Sequence, residues 1–409
     1  MTIGVRNTAF TGTRQPATLN PVVYLLATRP LTLPHSKAHA EQARADNVVG
    51  ILVAALVAAF VTAMVTPYVQ RWSERHGAVD QPSARRVNAK PMPRAGGVAI
   101  YVGFVAAVLL TVTIRQFSKA GQHTWSPQII GVLLATTFVA IVGLIDDFKD
   151  LAAKWQALAL IGGGLILVAF GVRIEGITNP FGPSGPHYDP SLNWHAFNMA
   201  TSIAGTLLWV FVVTKTVDAI DGVDGLAAGV CAISATALAL MAVQMTKPEF
   251  ATLALISAAL AGACLGFLRH NYHPAKIIMG TIGAWTLGMP LAAVSILGSF
   301  KIAAAVSVLV PVLVLGVPIF DYVHVLTRRI LARAPLTKAD KRHLHHRLLD
   351  RGWNQRQVVW FIYGVAVLFC ATALAVFSYN RVRPEVVRHA PAPHPAKKSQ
   401  ESGTTRPQN

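Results

Sequence analysis

The fold is decided by residues 199–243, where two apolar runs flank a short acidic segment: MATSIAGTLLWVFVV (199–213), DAIDGVDGL (218–226) and LAAGVCAISATALALMAV (226–243). Each apolar run approaches the roughly 20 residues that a helix needs to cross the hydrocarbon core of a membrane. The acidic segment holds three aspartates and two glycines in nine residues. Because unpaired charge is costly inside a bilayer, we expect these carboxylates at the ends of two spans, facing a group that compensates them.

The composition of the whole chain is typical of a polytopic membrane protein. Of 409 residues, 53% are hydrophobic and only 13% are charged, a balance that is rare in soluble proteins. The net charge of +18 would indicate nucleic-acid binding in a soluble protein. Here the basic residues lie mainly between apolar runs, which favours membrane lipids or phosphate ligands as partners and argues against nucleic acid. Cys231, Cys264 and Cys370 all lie inside apolar runs, and we predict that they are core residues.

Ten apolar runs are predicted to cross the membrane, so the predicted fold class is all-α, a polytopic membrane protein with about ten transmembrane helices. The predicted spans are 47–70, 96–114, 128–145, 155–172, 199–214, 226–245, 251–268, 282–298, 302–326 and 357–378. We predict three parts: a disordered basic tail over residues 1–46, a transmembrane domain over 47–378, and a disordered tail over 379–409 that is rich in Pro, His and Lys.

The basic residues predict the orientation of these spans. With ten spans both termini lie on one side, and the loops on the opposite side are 71–95, 146–154, 215–225, 269–281 and 328–356. These five loops carry 20 Lys and Arg residues, against five in the four short loops on the terminal side. Cytoplasmic loops carry the excess of Lys and Arg, so the first set of loops is predicted to face the cytoplasm.

Two polar clusters precede the acidic segment, and both fall in predicted cytoplasmic loops. RRVNAKPMPRAGGVAI (85–100) is a basic loop whose glycines open a span, and glycines at a helix N-terminus let the backbone approach an anion. Anchoring at the membrane surface explains the basic residues equally well. GLIDDFKDL (143–151) ends a span with three carboxylates. Adjacent carboxylates repel, so they indicate a cation or a substrate partner; a solvated helix end is the alternative.

The remaining clusters complete a site of mixed charge. On a helix, the three-residue spacing in DAIDGVDGL would place its aspartates on one face, and its glycines predict a broken or tightly turned backbone near a bound group. RHNYHPAKIIMG (269–280) is by itself an ordinary loop. DKRHLHHRLLDRG (340–352) suits phosphate or carboxylate binding better than zinc, since no cysteine is near; a lipid-head-group anchor is the alternative. Together the loops resemble a site where a divalent cation and basic side chains hold a diphosphate.

The order and spacing of six segments resemble the polyprenyl-phosphate N-acetylhexosamine-1-phosphate transferases, glycosyltransferase family 4. The segments are PMPRAGGVAI, GLIDDFKDL, DAIDGVDGLAAG, NYHPAKIIMG, PIFDYVHVLTRR (318–329) and HLHHRLLDRG. The resemblance covers residues 47–378. The family includes phospho-N-acetylmuramoyl-pentapeptide transferases and UDP-GlcNAc:undecaprenyl-phosphate GlcNAc-1-phosphate transferases, and the HLHHR form is more similar to the second branch.

The resemblance implies an enzyme that depends on Mg2+, with Mn2+ as an alternative metal. It would transfer a sugar-1-phosphate, GlcNAc-1-phosphate above all, from a UDP-N-acetylhexosamine to polyprenyl (undecaprenyl) phosphate and release UMP. That reaction is the first membrane step of cell-envelope polysaccharide synthesis, including cell wall and lipopolysaccharide. The resemblance also implies a multi-pass protein of the bacterial plasma membrane with its active site on the cytoplasmic face, and members of the family often form homodimers.

The resemblance also carries roles over to individual positions of this chain. The implied catalytic residues are Asp146, Asp147, Asp221, His345 and His346. The implied substrate-binding residues are Lys90, Arg94, Asp224, Asn271, His343 and Arg347. Asp221 is also predicted to be a metal ligand, together with Asp218, which is predicted for a different reason: this chain departs from the family pattern there.

The chain departs from the family pattern at two places. The family carries Asn-Ala-x-Asn where this chain has Lys215-Thr216-Val217-Asp218, and Met-Gly-Asp-x-Gly-Ser where it has Met279-Gly280-Thr281-Ile282-Gly283-Ala284. One carboxylate is therefore lost at Thr281 and one is gained at Asp218, and we expect the two changes to compensate in the metal site. Gln156 also stands near a position where the family commonly has a basic residue.

Two other functions stay open on the sequence. A non-catalytic or specialised homologue that binds nucleotide-sugar or lipid phosphate is favoured by Thr281, which lacks the family's carboxylate. An ion-coupled transporter is disfavoured, because transporters place acidic residues near the middle of the membrane, whereas these acidic residues gather at span ends on one face.

Overall fold

The computed structural model describes residues 34–80, 91–118, 125–178, 194–245, 248–298, 312–331 and 344–389. The chain divides into two units, Met1–Asn47 and Val48–Asn409. Within the described residues, eight helices are long and apolar enough to cross a membrane. The all-α, polytopic fold class is therefore confirmed, and the chain is a multi-pass membrane protein.

Eleven helices and two short antiparallel ladders occur in the described part of the chain. Helices α1 to α11 are Pro34–Arg75, Gly97–Ser118, Pro127–Lys149, Ala153–Ala169, Met199–Ile220, Leu226–Val243, Pro248–Asn271, Gly280–Leu297, Gly316–Leu331, Leu344–Asp350 and Gln355–His389. Strand β1 (Val79–Asp80) pairs with β2 (Met92–Pro93), and β3 (Gly176–Thr178) pairs with β4 (Trp194–Ala196).

Eight of the ten predicted spans coincide with the eight long apolar helices. The predicted span 155–172 is helix α4, which has 17 residues and is shorter than the hydrocarbon core usually requires. The predicted span 302–326 is described only from residue 312 onward, where α9 forms. The count of about ten is therefore approximate, because apolar length alone does not separate a full crossing from a short buried helix.

The helices at both ends of the chain extend beyond the predicted transmembrane domain. Helix α1 begins at Pro34 and α11 continues to His389, so residues 34–46 and 379–389 are helical although they were assigned to disordered tails. A helix that is already nucleated extends at little further cost, which hydropathy alone does not reveal. The remaining tail residues, 1–33 and 390–409, lie outside the described residues.

Helices α6, α7 and α8 form the centre of the bundle. In the apolar part of α8, 94% of the residues are buried, against 22% in the apolar part of α1. Helices α1 and α7 approach closely because Gly262 and Gly266 lack side chains. A Cβ at either glycine would lie 2.0 or 2.2 Å from a carbonyl oxygen of α1. Small residues of this kind are a common means of packing helices within a membrane.

The loop before α2 is bound to the loop before α8. Gly96 and Gly97 donate their backbone N–H groups to the carbonyls of Ile278 and Met279, at 3.0 and 2.8 Å. A Cβ on Gly97 would lie 2.1 Å from the backbone nitrogen of Gly283. The sequence predicted that these glycines let a backbone approach an anion; in the structure they let α2 and α8 approach each other.

Candidate active site

Asp147 joins the end of α3 to the beginning of α8. Its side chain is fully buried, Oδ1 accepts the Thr281 N–H at 2.8 Å, and Oδ2 accepts the Ile282 N–H at 3.1 Å. These N–H groups lie in the first turn of α8, where they have no partner within the helix and where the helix dipole favours a negative charge. Asp147 therefore caps α8 from another helix.

Arg94 connects two carboxylates at the end of α3. Its Nε lies 3.1 Å from Oδ1 of Asp147, and its Nη1 lies 2.8 Å from Oδ1 of Asp150. Burial lowers the pKa of Arg94, but the hydrogen bond to Asp150 and the neighbouring carboxylates outweigh this effect, so the pKa is raised. Arg94 therefore stays charged and acts here as a partner of two aspartates, while its role in substrate binding stays a prediction.

Asp146 is held by Leu151, in the loop after α3, and by Gln156 on α4, and polar side chains link α4 to α5. Oδ1 of Asp146 accepts the Leu151 N–H at 2.8 Å and Nε2 of Gln156 at 3.0 Å. Oε1 of Gln156 accepts Nζ of Lys215 at 3.2 Å, and Lys215 also forms an ion pair with Asp218. A continuous chain of four polar side chains therefore links α3, α4 and α5.

The segment DAIDGVDGL forms a turn between α5 and α6. Helix α5 ends at Ile220, Asp221 caps it, and Gly225 begins α6 with φ of 78°, in the region that glycine adopts without strain. The tight turn is confirmed. The aspartates do not share a helical face, because the helix ends before Asp221 and Asp224 follows in the turn.

The turn is attached to the NYHPAK loop by two side chains. Oδ2 of Asp224 accepts the Ala275 N–H at 3.1 Å and lies 2.9 Å from Nδ1 of His273. Asn271 is buried, accepts the Gly225 N–H at 3.0 Å and donates to the carbonyl of Ile277 at 2.9 Å. Both ends of the Asn271 amide thus bind backbone, and its contact with a nucleotide stays a prediction.

The histidine segment, residues 343–347, contacts the same turn through His345. His345 is only 2% exposed, and a Cβ on Gly222 would lie 2.7 Å from its Nε2. The rings of His345 and His346 are 4.4 Å apart, and Arg347 is exposed. Two predicted site residues, Lys90 and His343, lie outside the described residues.

Several side chains of the site were not among the predicted site residues, including Asp150 and His273, which are described above. Oδ1 of Asp321 accepts the Leu344 N–H at 2.7 Å and so holds the beginning of α10, which carries His345. Lys215 and Gln156 form the polar chain described above. Asp321 had a signal in the sequence, since it is an acidic residue inside a predicted span, and such residues usually have a functional partner.

Binding of a magnesium ion by the carboxylates of the site stays a prediction. Across the described ranges, no group of three or more His, Cys, Asp or Glu side chains is arranged to hold a metal ion. Mg2+ does not need such a cage, because it usually keeps several waters and binds one or two carboxylates together with substrate phosphates. Asp218 is paired with Lys215, and the expected compensation for Thr281 stays a prediction.

Replacing Gly222 by alanine tests whether His345 must lie against the turn. The added methyl group would displace a buried imidazole ring, so we expect Gly222→Ala to lower the turnover rate by about tenfold or more, measured with the substrates proposed below. Gly205→Ala on α5 is the matched control, since a Cβ there meets nothing within 4 Å. Equal turnover of the two variants would contradict the role of this contact.

Comparison with known proteins gives the same family for this chain. The description Glycosyl transferase family 4 matches residues 129–299. A Bacillus subtilis (strain 168) protein named probable undecaprenyl-phosphate N-acetylglucosaminyl 1-phosphate transferase is 35% identical over 333 residues, 81% of this chain and 87% of that protein. A Mycobacterium tuberculosis (strain ATCC 25618 / H37Rv) decaprenyl-phosphate N-acetylglucosaminephosphotransferase is 34% identical, over 76% of this chain and 78% of that protein. A Synechococcus sp. (strain JA-3-3Ab) phospho-N-acetylmuramoyl-pentapeptide-transferase is 34% identical over 60% of this chain and 70% of that protein. The chain therefore belongs to glycosyl transferase family 4.

Proposed function

We propose that the protein transfers GlcNAc-1-phosphate from UDP-GlcNAc to a polyprenyl phosphate and releases UMP, on the cytoplasmic face of a bacterial plasma membrane. One observation carries the proposal: acidic and basic side chains from segments far apart in sequence lie together where α3, α5 and α7 end and α2, α6 and α8 begin. Direct hydrogen bonds tie the end of α3 to the beginning of α8, the end of α7 to the beginning of α6, and the beginning of α2 to the residues before α8. The names of the relatives support a polyprenyl phosphate as the acceptor.

The chemistry of this reaction matches the charges of the site. Two polyanions must approach each other, so the main task is to compensate charge where it develops. A phosphate monoester is largely ionised near neutral pH, since its second pKa is about 6, and it needs little help from a base. Both oxygens of Asp147 are taken by backbone N–H groups. We therefore assign a role in the active site to Asp146 and a positioning role to Asp147.

We propose Mg2+ as the cofactor, with Mn2+ as a replacement. Asp221 at the end of α5, with Asp218 one turn earlier, supplies the hard oxygen ligands that either ion prefers. When bound, the ion neutralises charge on the diphosphate oxygens of the donor. His345, His346 and Arg347 at the other side of the turn supply donors for the remaining oxygens.

Release of UMP tests the proposal directly. Purified protein in detergent is incubated with undecaprenyl phosphate and a panel of UDP-sugars, with Mg2+, with Mn2+, or with a chelator. We expect UMP from UDP-GlcNAc, loss of UMP formation on chelation, and recovery when either metal is added back. A metal-independent reaction would contradict the cofactor assignment alone.

A second candidate function is binding of a nucleotide-sugar without turnover. It is favoured by Thr281, which has no carboxylate and contributes its backbone N–H to Asp147. The same experiment separates the two functions. Binding of a UDP-sugar without UMP release from any donor would support the second and overturn the first.

A further inference from the structure

A single lysine lies in the polar chain that leads to Asp146. The side chain of Lys215 is 21% exposed, and its ammonium contacts Asp218 and Gln156. Gln156 in turn donates Nε2 to Oδ1 of Asp146 at 3.0 Å and to the carbonyl of Leu151 at 3.3 Å. The cation of α5 is therefore connected to the carboxylate of α3 through one neutral amide of α4.

The donors and acceptors allow this amide only one orientation. An ammonium only donates hydrogen bonds and an ionised carboxylate only accepts them. The carbonyl end of Gln156 must therefore face Lys215, and its NH2 end must face Asp146. If the amide flipped, its NH2 group would face the Lys215 ammonium, which is also a donor, and its carbonyl would face the Asp146 carboxylate, which is also an acceptor. Lys215 thus acts together with Asp146 and the Leu151 carbonyl in fixing this amide, because its ammonium is the donor that the Gln156 carbonyl faces.

Neutralising Asp218 alone does not account for this arrangement. A partly exposed ion pair three residues apart on one helix contributes little to stability. Such a pair also needs no contact with a second helix, whereas Lys215 reaches Gln156 on α4. The contact therefore bears on the groups that Gln156 holds, which are the Asp146 carboxylate and the Leu151 carbonyl.

We propose that Lys215 is a positioning residue of the active site, which through Gln156 holds the Asp146 carboxylate in place. The inference rests on the proposed function. It implies that the site requires one cation between α4 and α5, and that this cation can come from either helix. In the exchange Gln156→Lys with Lys215→Gln, the new lysine donates to Asp146 directly. The new glutamine accepts from that lysine and donates to Asp218, so the polar chain forms again in the reverse direction.

Three variants test the inference by UMP release and thermal unfolding in detergent. We expect Lys215→Gln to lower kcat by about 10- to 100-fold, as hydrogen bonds to charged groups contribute, with KM for UDP-GlcNAc within about threefold of wild type. The exchange variant is expected to recover kcat to within about fivefold of wild type. Lys154→Gln is the matched control, because Lys154 lies on α4 but is exposed, and we expect about wild-type kcat.

The outcomes separate this inference from the proposed function. A wild-type protein that releases no UMP overturns the proposed function and, with it, the inference. An active wild type whose kcat survives in Lys215→Gln overturns the inference alone, as does a folded exchange variant no more active than Lys215→Gln. If the exchange variant does not fold, Lys215→Arg takes its place, since it keeps the charge. Activity in Lys215→Arg near that of Lys215→Gln overturns the inference as well.

Discussion

An Asp147→Asn variant is expected to lose UMP release and about 3–5 kcal/mol of its free energy of unfolding, the usual cost of removing one partner of a buried ion pair. The carboxylate accepts two backbone N–H groups of α8 and pairs with Arg94. An asparagine amide presents an NH2 group to one of these donors, so a buried N–H loses its acceptor. Thermal unfolding in detergent, together with UMP release, measures both effects.

Asp150→Asn is the matched control for this prediction. Asp150 binds the same arginine, but its side chain is 82% exposed, and exposed ion pairs contribute at most about 1 kcal/mol. Asparagine also tolerates the left-handed conformation of residue 150, φ 46°. If Asp147→Asn unfolded at the same temperature as Asp150→Asn, Asp147 would not be the residue that joins α3 to α8.

Asp146→Asn is also expected to lose most of its turnover, but unlike Asp147→Asn it is expected to lose little stability. Asparagine keeps an oxygen that can accept from the Leu151 N–H and from Gln156, which are the contacts of Oδ1 in the structure. It removes the negative charge of Asp146, and on the proposed function we expect kcat to fall by about 100-fold or more. UMP release at saturating substrates and the unfolding temperature are the two measurements.

Comparing the two asparagine variants distinguishes catalysis from folding. Asp146 and Asp147 are adjacent and both buried, so burial alone does not explain a difference between them. An Asp146→Asn protein that is as unstable as Asp147→Asn would show that Asp146 supports the fold rather than the reaction. A stable Asp146→Asn protein that keeps wild-type turnover would remove Asp146 from the active site.

Hydropathy was sufficient to predict most of the architecture. Eight of the ten predicted spans are helices of spanning length, because a membrane requires long apolar segments whatever their neighbours are. The same reasoning did not separate α4, with 17 residues, from the longer helices. It also predicted that α1 begins and α11 ends at the limits of the apolar runs, whereas both helices continue into polar residues. Whether a polar helix end extends does not depend on hydropathy.

The clustering of the site was also predictable, but its internal contacts were not. Positive-inside loops and the family resemblance indicated that GLIDDFKDL, DAIDGVDGL and the histidine segment share one face. The roles of Asp146 and Asp147 could not be separated, because neighbouring residues on a helix point about 100° apart and only the position of α8 decides which one caps it. Lys215 and Gln156 were noted as departures from a pattern, without any indication that they touch.

The sequence by itself determined most of the segments that are long and apolar enough to cross a membrane, and which side chains are available at one end of them, because apolar length and charge are properties of local segments. The tertiary structure alone decided which donor meets which acceptor. Residues 147 and 281 are joined by a hydrogen bond, as are residues 156 and 215, and residue 345 lies against residue 222. Those pairings depend on how the helices pack, and helix packing is set by contacts along the whole length of the bundle.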